Sequence, residues 1–326
     1  MGKKIFCFLN PLIIVLFLIV LKQLFPSKLT FITQVIILTI YIMGNNLLMG
    51  YMGYTSFGQP IYLNIGAYSI ALYFTYFGGN ILIAFLVMFV VSIIVSFIIG
   101  PIFLRLKGNY FTLINAAFCA LGVFFFQRIL LKYTRGEDGL WFRSSIKPMF
   151  FDIRYPENFF IFTLIVLLIC YYFFTFVVDR SAFGTVLKAS KNNPLKLKYL
   201  GYSVFKIRLL GYTISIIFSC LAGALYAMNL GFVNQSLGEN SRAIEVLLAT
   251  LIGGIGTIYG PFFGSLFFNG IKDILGQFFS QWEFFVGLFT LFALFKLKKG
   301  IWGYMEESFN NIHKKISNRF NKKKIT

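Results

Sequence analysis

ILIAFLVMFVVSIIVSFIIGPIF, from Ile81 to Phe103, contains no charged side chain. An α-helix needs about 20 predominantly apolar residues to cross the hydrocarbon core of a bilayer, and this run has that length. Moving outward, comparable runs occupy 5–25, 30–50, 61–78, 110–131, 158–178, 208–230, 243–259, 261–278 and 281–296. The expected fold is all-α, a polytopic integral membrane helical bundle of about ten transmembrane helices. Residues 1–300 form the membrane domain and 301–326 a basic tail.

Composition agrees with that expectation. Of 326 residues, 58% are hydrophobic and only 13% charged, against about 25% charged in an ordinary soluble domain. The net charge of +19 would suit a nucleic-acid partner were it spread over a soluble surface. It lies instead between the apolar runs, concentrated at Arg128 to Glu157, Asp179 to Arg208 and Lys296 to Lys324. Basic loops of this kind stay cytoplasmic and are attracted to anionic lipid. No nucleic-acid partner is expected.

Orientation follows from the same charges. With the N-terminus inside, Arg105 to Lys107, Asp179 to Arg208 and the C-terminal tail are cytoplasmic. The 132–157 loop is then external despite Lys132, Arg135, Arg143, Lys147 and Arg154, against the positive-inside rule. The first run follows Lys3 and Lys4 as a signal peptide would, but Leu24-Phe25-Pro26-Ser27-Lys28 offers no small-x-small cleavage site, so a retained span is expected.

Familiar catalytic sets are missing. Cys7, Cys119, Cys170 and Cys220 stand apart within apolar runs, without metal-ligand spacing. The single histidine, His313, lies in the basic tail, so no Ser-His-Asp triad can be assembled. No Gly-x-x-x-x-Gly-Lys-Ser/Thr phosphate loop exists, the sole Gly-Lys pair being Gly2-Lys3. A transport subunit rather than an enzyme is expected, with no catalytic residue, metal or cofactor. Energy must come from an ion gradient or from a partner.

Two glycine-rich stretches interrupt the simple pattern of spans. Gly50-Tyr51-Met52-Gly53-Tyr54-Thr55-Ser56-Phe57-Gly58-Gln59-Pro60 joins two apolar runs without a charge, and Gly253-Gly254-Ile255-Gly256-Thr257-Ile258-Tyr259-Gly260-Pro261-Phe262-Phe263-Gly264 does the same in the second half. Irregular backbone at membrane depth survives only inside protein or beside a wet cavity, and matching breaks in two halves point to a midplane pathway in transporters. The other explanation is that the glycines let helices pack closely.

Candidate pathway residues are therefore Asn45, Asn46, Gly53, Ser56, Gln59, Asn64, Asn115 and Glu245. Most buried amides in spans serve interhelical hydrogen bonds. Glu245 differs in kind, since a carboxylate inside a span costs about 2.5–3.5 kcal/mol on insertion scales. Arg242, three residues earlier, offers a helix-end ion pair as the alternative to a pathway role.

Between the sixth and seventh spans, the 179–208 segment reads as a short amphipathic helix, a restart near Pro194 and a second short helix ended by Gly201 at a C′ position. It suits docking onto a partner or lying on anionic lipid. In the tail, Met305, Phe309, Ile312, Ile316 and Phe320 make an apolar stripe beside Lys314, Lys315 and Arg319, an interfacial amphipathic helix in expectation.

These pieces, taken in order, resemble the branched-chain amino-acid ABC transporter permease family, the longer of its two permease types. Asn46-Leu47-Leu48-Met49-Gly50 through Ser56-Phe57-Gly58-Gln59, then Gly66-Ala67-Tyr68, look like that family's N-L-L-x-G-x-x-G-x-x-S-x-G and G-A-Y stretch. Gly108-Asn109-Tyr110-Phe111, Gly136-Glu137-Asp138-Gly139-Leu140, Ser181-Ala182-Phe183-Gly184, Leu200-Gly201, Ala222-Gly223-Ala224-Leu225-Tyr226 and Gly253 to Pro261 continue the likeness across roughly residues 40–270.

The resemblance implies a subunit of a bacterial plasma-membrane importer, multi-pass with both termini cytoplasmic. A second homologous permease subunit, two cytoplasmic ATP-binding subunits and an extracytoplasmic substrate-binding protein complete it. Phe183, Gly184, Lys188, Leu200 and Gly201 match the coupling element that seats on the ATPase. Branched-chain amino acids are the implied cargo, with urea carried by the same architecture in relatives and an ion-coupled secondary transporter as the competing class. The chain departs from the pattern at Asn109, where relatives carry Asp, at Asn192-Asn193, often acidic, and at Lys196-Leu197-Lys198-Tyr199, where relatives are often small and acidic.

Overall fold

The computed structural model describes residues 2–106, 108–146, 152–278, 284–285, 287–288 and 300–307, with side chains from residue 11 onward. The chain is a helical membrane bundle. Its helices are α1 (Gly2–Leu24), α2 (Leu29–Asn46), α3 (Gln59–Tyr76), α4 (Ile81–Phe103), α5 (Asn109–Phe124), α6 (Leu131–Thr134), α7 (Pro156–Phe173), α8 (Ala182–Asn192), α9 (Pro194–Tyr199), α10 (Val204–Leu230), α11 (Asn240–Gly253) and α12 (Gly260–Phe278). The π-helical turns Leu47–Met52, Phe125–Ile129 and Phe174–Asp179 extend α2, α5 and α7.

Five of the described helical stretches are long and apolar enough to cross a membrane: Pro26–Met52, Ile81–Phe103, Asn109–Ile129, Pro156–Asp179 and Val204–Leu230. The expected count of ten also needs α1, α3, α11, α12 and the 281–296 run, most of which lies outside the described residues. One boundary changes outright. The run expected at 243–259 ends as helix at Gly253, because Gly254 (φ 117°) and Gly256 (φ 76°) take backbone angles that end a right-handed helix. With 14 residues, α11 is about 21 Å long, short of the roughly 30 Å hydrocarbon core.

Ile81–Phe103 shows how a helix apolar on every side is oriented. Asn80 caps it by accepting from the Leu82 N–H. Its inward face is Ile81, Ala84, Met88, Ser92, Ser96, Gly100 and Phe103, a three-and-four spacing that selects one side. In lipid there is no hydrophobic force to choose that side, so small and hydroxyl-bearing residues choose it through close packing and hydrogen bonds. Ser96 donates to Thr213 Oγ1 at 2.9 Å, while Leu82, Leu86 and Ile98 on the other side stay exposed.

At the centre, α2 is almost wholly buried and packs on α10, α12 and α7, while α3 crosses α10 more closely still. A Cβ on Gly66 would lie 2.0 Å from the Cys220 carbonyl oxygen, and one on Gly223 would lie 1.8 Å from that of Leu63. The two backbones touch because neither position has a side chain. Tyr62 and Tyr212 share a 2.5 Å hydroxyl contact beside the crossing.

The bundle has two distinct ends. At one, α8 and α9 lie against the Leu47–Met52 turn and the start of α10. At the other, Leu140–Trp141 (β1) pairs antiparallel with Phe232–Val233 (β2), a small sheet not expected from the sequence. The adjoining loop holds an Asp152–Arg154 ion pair at 2.7 Å, whose guanidinium keeps the Asp152 carboxyl below its usual range. Among the described residues Cys119, Cys170 and Cys220 are buried and unbridged. The tail residues Phe309, Ile312, His313, Ile316 and Phe320 lie outside the described residues.

Candidate functional site

The two glycine-rich breaks meet. A Cβ on Gly50 would fall 2.6 Å from both Cα and N of Gly256, so the backbones are in contact. Asn46, one turn before Gly50, fastens them: its Nδ2 donates to the Thr257 carbonyl at 2.8 Å and its Oδ1 accepts from the Gly256 N–H at 2.7 Å. One amide thereby satisfies a donor and an acceptor that the break at Gly254 strips of helical partners. Neighbouring Asn45 donates to Thr250 Oγ1 on α11 at 2.8 Å.

A second network ties this seam to α10. Gln59 Nε2 donates to Ser215 Oγ at 3.0 Å, Ser219 Oγ donates to Gln59 Oε1, and Ser215 Oγ donates to the Gly44 carbonyl at 2.7 Å. Asn45, Asn46 and Gln59 are fully buried. Ser56 is buried too, and its Oγ accepts from the Gly58 N–H within the first break. Gly53 is exposed at φ 76°, and a Cβ there would meet the Lys191 stem at 2.9 Å.

Asn64 and Asn115 behave differently. Both are buried; among the described residues neither amide atom of Asn64 has a partner, and Asn115 uses Nδ2 on the Phe111 carbonyl while its Oδ1 has none. Unpaired amides in such surroundings are costly.

The 179–208 segment folds as expected. Ser181 caps α8 by accepting from the Gly184 N–H, Asn193 caps α9 by accepting from the Lys196 N–H, Pro194 opens α9, and Gly201 follows at φ 83°. Its inner face is wired to the first break. Lys191 Nζ donates to the Gly50 carbonyl at 3.1 Å and the Met49 carbonyl at 3.4 Å. Lys188 pairs with Asp179 at 3.0 Å and covers the ring of Tyr51, whose hydroxyl also donates to Asp179 at 2.8 Å. Arg208 donates to the Ser190 carbonyl at 2.5 Å and to Tyr54 Oη at 2.8 Å.

The expected coupling residues divide into two sets. Gly184 is buried, a Cβ there falling 1.4 Å from the Val178 carbonyl oxygen, and Phe183 packs on the core. Leu200 is exposed with Gly201, and Tyr199 beside them is 88% exposed. Beneath them lies a cleft of about 1110 Å³ walled by Met52, Tyr54, Lys191, Lys198 and Arg208.

At the opposite end Glu245 is held by two cations, Arg242 at 2.9 Å and Lys272 at 3.1 Å. The helix-end pair with Arg242, one of the two alternatives for Glu245, is present, and Lys272 of α12 enlarges it. Other charges lie in the apolar runs as well: Lys272 and Asp273 sit in the 261–278 run, and Asp273 pairs with Lys28 at 2.7 Å.

A profile described as "Branched-chain amino acid transport system / permease component" matches residues 27–295. The chain belongs to this permease family. It is 26% identical over 272 residues to the high-affinity branched-chain amino acid transport system permease protein LivM of Salmonella typhimurium, covering 76% of this chain and 63% of that one. LivM of Escherichia coli is 26% identical over 265 residues, 72% and 60% respectively. The autoinducer 2 import system permease protein LsrC of Klebsiella pneumoniae is 31% identical over 126 residues, 36% of this chain. The chain thus spans roughly three-fifths of the length of the LivM relatives. No solved structure matches it significantly.

For this permease, the sequence pointed to both breaks but not to their contact. Tyr51, Asp179, Lys191 and Arg208 were missed as the links to the 179–208 segment. Asp179 and Arg208 bound that segment, so a charge at each helix junction was an available signal. Lys272 was equally visible as a charge inside an apolar run.

Proposed function

We propose that this permease is the transmembrane subunit of an ATP-binding-cassette importer that carries amino acids, branched-chain ones foremost, across a bacterial inner membrane. The observation that carries the proposal is the wiring of α8–α9 to the first break: Lys191 grips Gly50, and Gly50 lies on Gly256. Two cytoplasmic ATP-binding subunits seat on the exposed Leu200 and Gly201 edge. A second homologous permease subunit and an extracytoplasmic binding protein complete the assembly, with both termini cytoplasmic and the basic tail on anionic lipid.

ATP-driven closure of those subunits shifts α8 and α9. Lys188, Lys191 and Arg208 pass the shift to Tyr51, Gly50 and Tyr54, and the seam at Gly256 moves with them. The two breaks are suited to this because glycine backbones slide without side chains to disengage. Differential binding of the ATPases to two arrangements of the segment supplies the bias between them.

Within the pathway set, Asn45, Asn46 and Gln59 act by holding helices across the seam. Gly53 and Ser56 shape the first break. Asn64 and Asn115 keep amide atoms available to a passing solute, and Glu245 guards the far end. The longer likeness to LivM than to LsrC favours an amino acid over autoinducer 2.

Uptake by proteoliposomes containing the permease, its ATPases and a binding protein tests this reading. Leucine accumulation should require ATP inside the compartment that holds the ATPases. Uptake that persists without ATPase and follows a proton or sodium gradient would instead establish an ion-coupled secondary transporter.

A further inference from the structure

The cleft beneath Leu200 and Gly201 carries charge that no neighbour offsets. Lys191, Lys198 and Arg208 line it, and among the described residues no Asp or Glu does. None of the ion pairs among the described residues includes any of these three cations. Lys191 donates to the Gly50 and Met49 carbonyls, and Arg208 to the Ser190 carbonyl and Tyr54 Oη, all neutral acceptors. Lys188, which lies outside the cleft, has Asp179 as its counter-ion instead. Three positive charges therefore border one space that lacks a carboxylate.

Much of the remaining wall is apolar. Leu195, Val204 and Phe205 line the cleft beside the cations, and Leu195 and Phe205 are exposed. Its volume of about 1110 Å³ is at the top of the usual ligand-pocket range of about 300–1,000 Å³, so a simple anion would leave most of it unfilled. The cleft also has a definite depth. Val204 opens α10, whose 27 residues extend about 40 Å, past the roughly 30 Å hydrocarbon core and into the headgroup layer. Gly108, also in the wall, directly precedes α5, another helix long and apolar enough to span. Two spans thus begin at the rim of one basic, partly apolar cleft.

We infer that this cleft binds an anionic phospholipid, with its phosphodiester held by Lys198, Arg208 and Lys191 and its acyl chains against Leu195 and Phe205. Basic pockets where spans meet the headgroup layer suit such lipids because they offer cations and hydrocarbon together. A soluble phosphate would use the cations and leave the apolar wall in water. A zwitterionic lipid would bring its own cation against three others. Lys191 belongs to α8, Lys198 to α9 and Arg208 to α10, so one lipid ties three helices together, and through Lys191 it reaches the first break at Gly50. The inference rests on the chain's place in a membrane and on neither its cargo nor its ATPases.

The test is thermal unfolding of the full-length permease in a non-ionic detergent, titrated with dioctanoyl phosphatidylglycerol, dioctanoyl phosphatidylcholine or glycerol 3-phosphate. The first should raise the unfolding midpoint saturably, and the other two should not. Lys198 is exposed, so Lys198→Gln should leave the ligand-free midpoint unchanged. It should weaken the apparent affinity for phosphatidylglycerol about fivefold, the worth of one lysine near an anionic surface, and Lys198→Arg should retain it. Lys132→Gln, on α6 and outside the cleft, should bind as wild type does, which controls for the basic tail and the general field. Equal stabilisation by phosphatidylcholine would identify solvation by any amphiphile, and equal stabilisation by glycerol 3-phosphate a site for soluble phosphate. Equal affinities in Lys198→Gln and Lys132→Gln would place the lipid elsewhere on the basic surface. Any of these, or no response to phosphatidylglycerol, would overturn the site. ATP-driven leucine uptake alongside such a result would leave the importer standing, and a saturable, Lys198-dependent lipid response without ATP-driven uptake would do the reverse.

Discussion

Asn46 Oδ1 accepts a 2.7 Å hydrogen bond from the Gly256 N–H, a residue 210 positions away, while Asn46 Nδ2 holds the carbonyl next along the chain at Thr257. A single side chain thus replaces the helical hydrogen bonds that two chain breaks forgo. Asn46→Ala removes both at once and leaves a buried donor and acceptor unpaired, at about 1–3 kcal/mol. Chemical unfolding in detergent should show that loss. Asn46→Asp keeps the acceptor but sets a buried carboxylate against the Thr257 carbonyl, so it should be no more stable than Ala; equal stability of all three would separate Asn46 from the seam.

Gly50 tests the contact itself. Gly50→Val puts atoms where the Gly256 backbone lies, and overpacking of this kind costs about 1–3 kcal/mol. The variant should insert into the membrane, unfold more readily and transport poorly. Uptake at the wild-type rate would show that the breaks need not touch.

Gly223→Leu should be more severe. Its side chain would start 1.8 Å from the Leu63 carbonyl oxygen, so α3 and α10 must part. The expected result is loss of folded protein on size-exclusion chromatography, a penalty above about 4 kcal/mol. Gly270→Leu on α12, where nothing among the described residues lies within 4 Å, should be recovered normally.

Lys191→Gln should separate coupling from folding. The lysine is exposed, so solvent screening leaves little stability in its two carbonyl contacts. Its melting midpoint should stay within about a degree or two of wild type, while solute moved per ATP hydrolysed falls several-fold. A normal ratio would remove Lys191 from the path of force.

Much of this arrangement was legible before any coordinates. Spans such as 81–103 declare themselves because lipid demands length and apolarity together, and the caps of α8 and α9 are local chemistry at Ser181, Asn193, Pro194 and Gly201. What depends on distant partners was not. Gly50 and Gly256 each read as a break, but their contact is set by how α2, α10 and α11 pack, which no local pattern encodes. The small sheet joining Leu140 to Val233 was hidden for the same reason, its strands being only two residues each. Gly184 changed in meaning: a Trp there, the natural probe of docking from sequence, would collide with the Val178 carbonyl and disturb α8 itself. Exposed Leu200 is the cleaner place to intervene.

The most direct measurement is therefore coupled ATP hydrolysis and leucine uptake by the Leu200→Asp permease reconstituted with its ATPases and binding protein. Leu200 is 66% exposed at the end of α9 and has no part in the bundle core. The expected result is a folded permease with at least a tenfold loss of uptake and no stimulation of ATP hydrolysis by the binding protein. Wild-type uptake and stimulation in that variant would contradict the assignment of α8–α9 as the element through which ATP drives the seam.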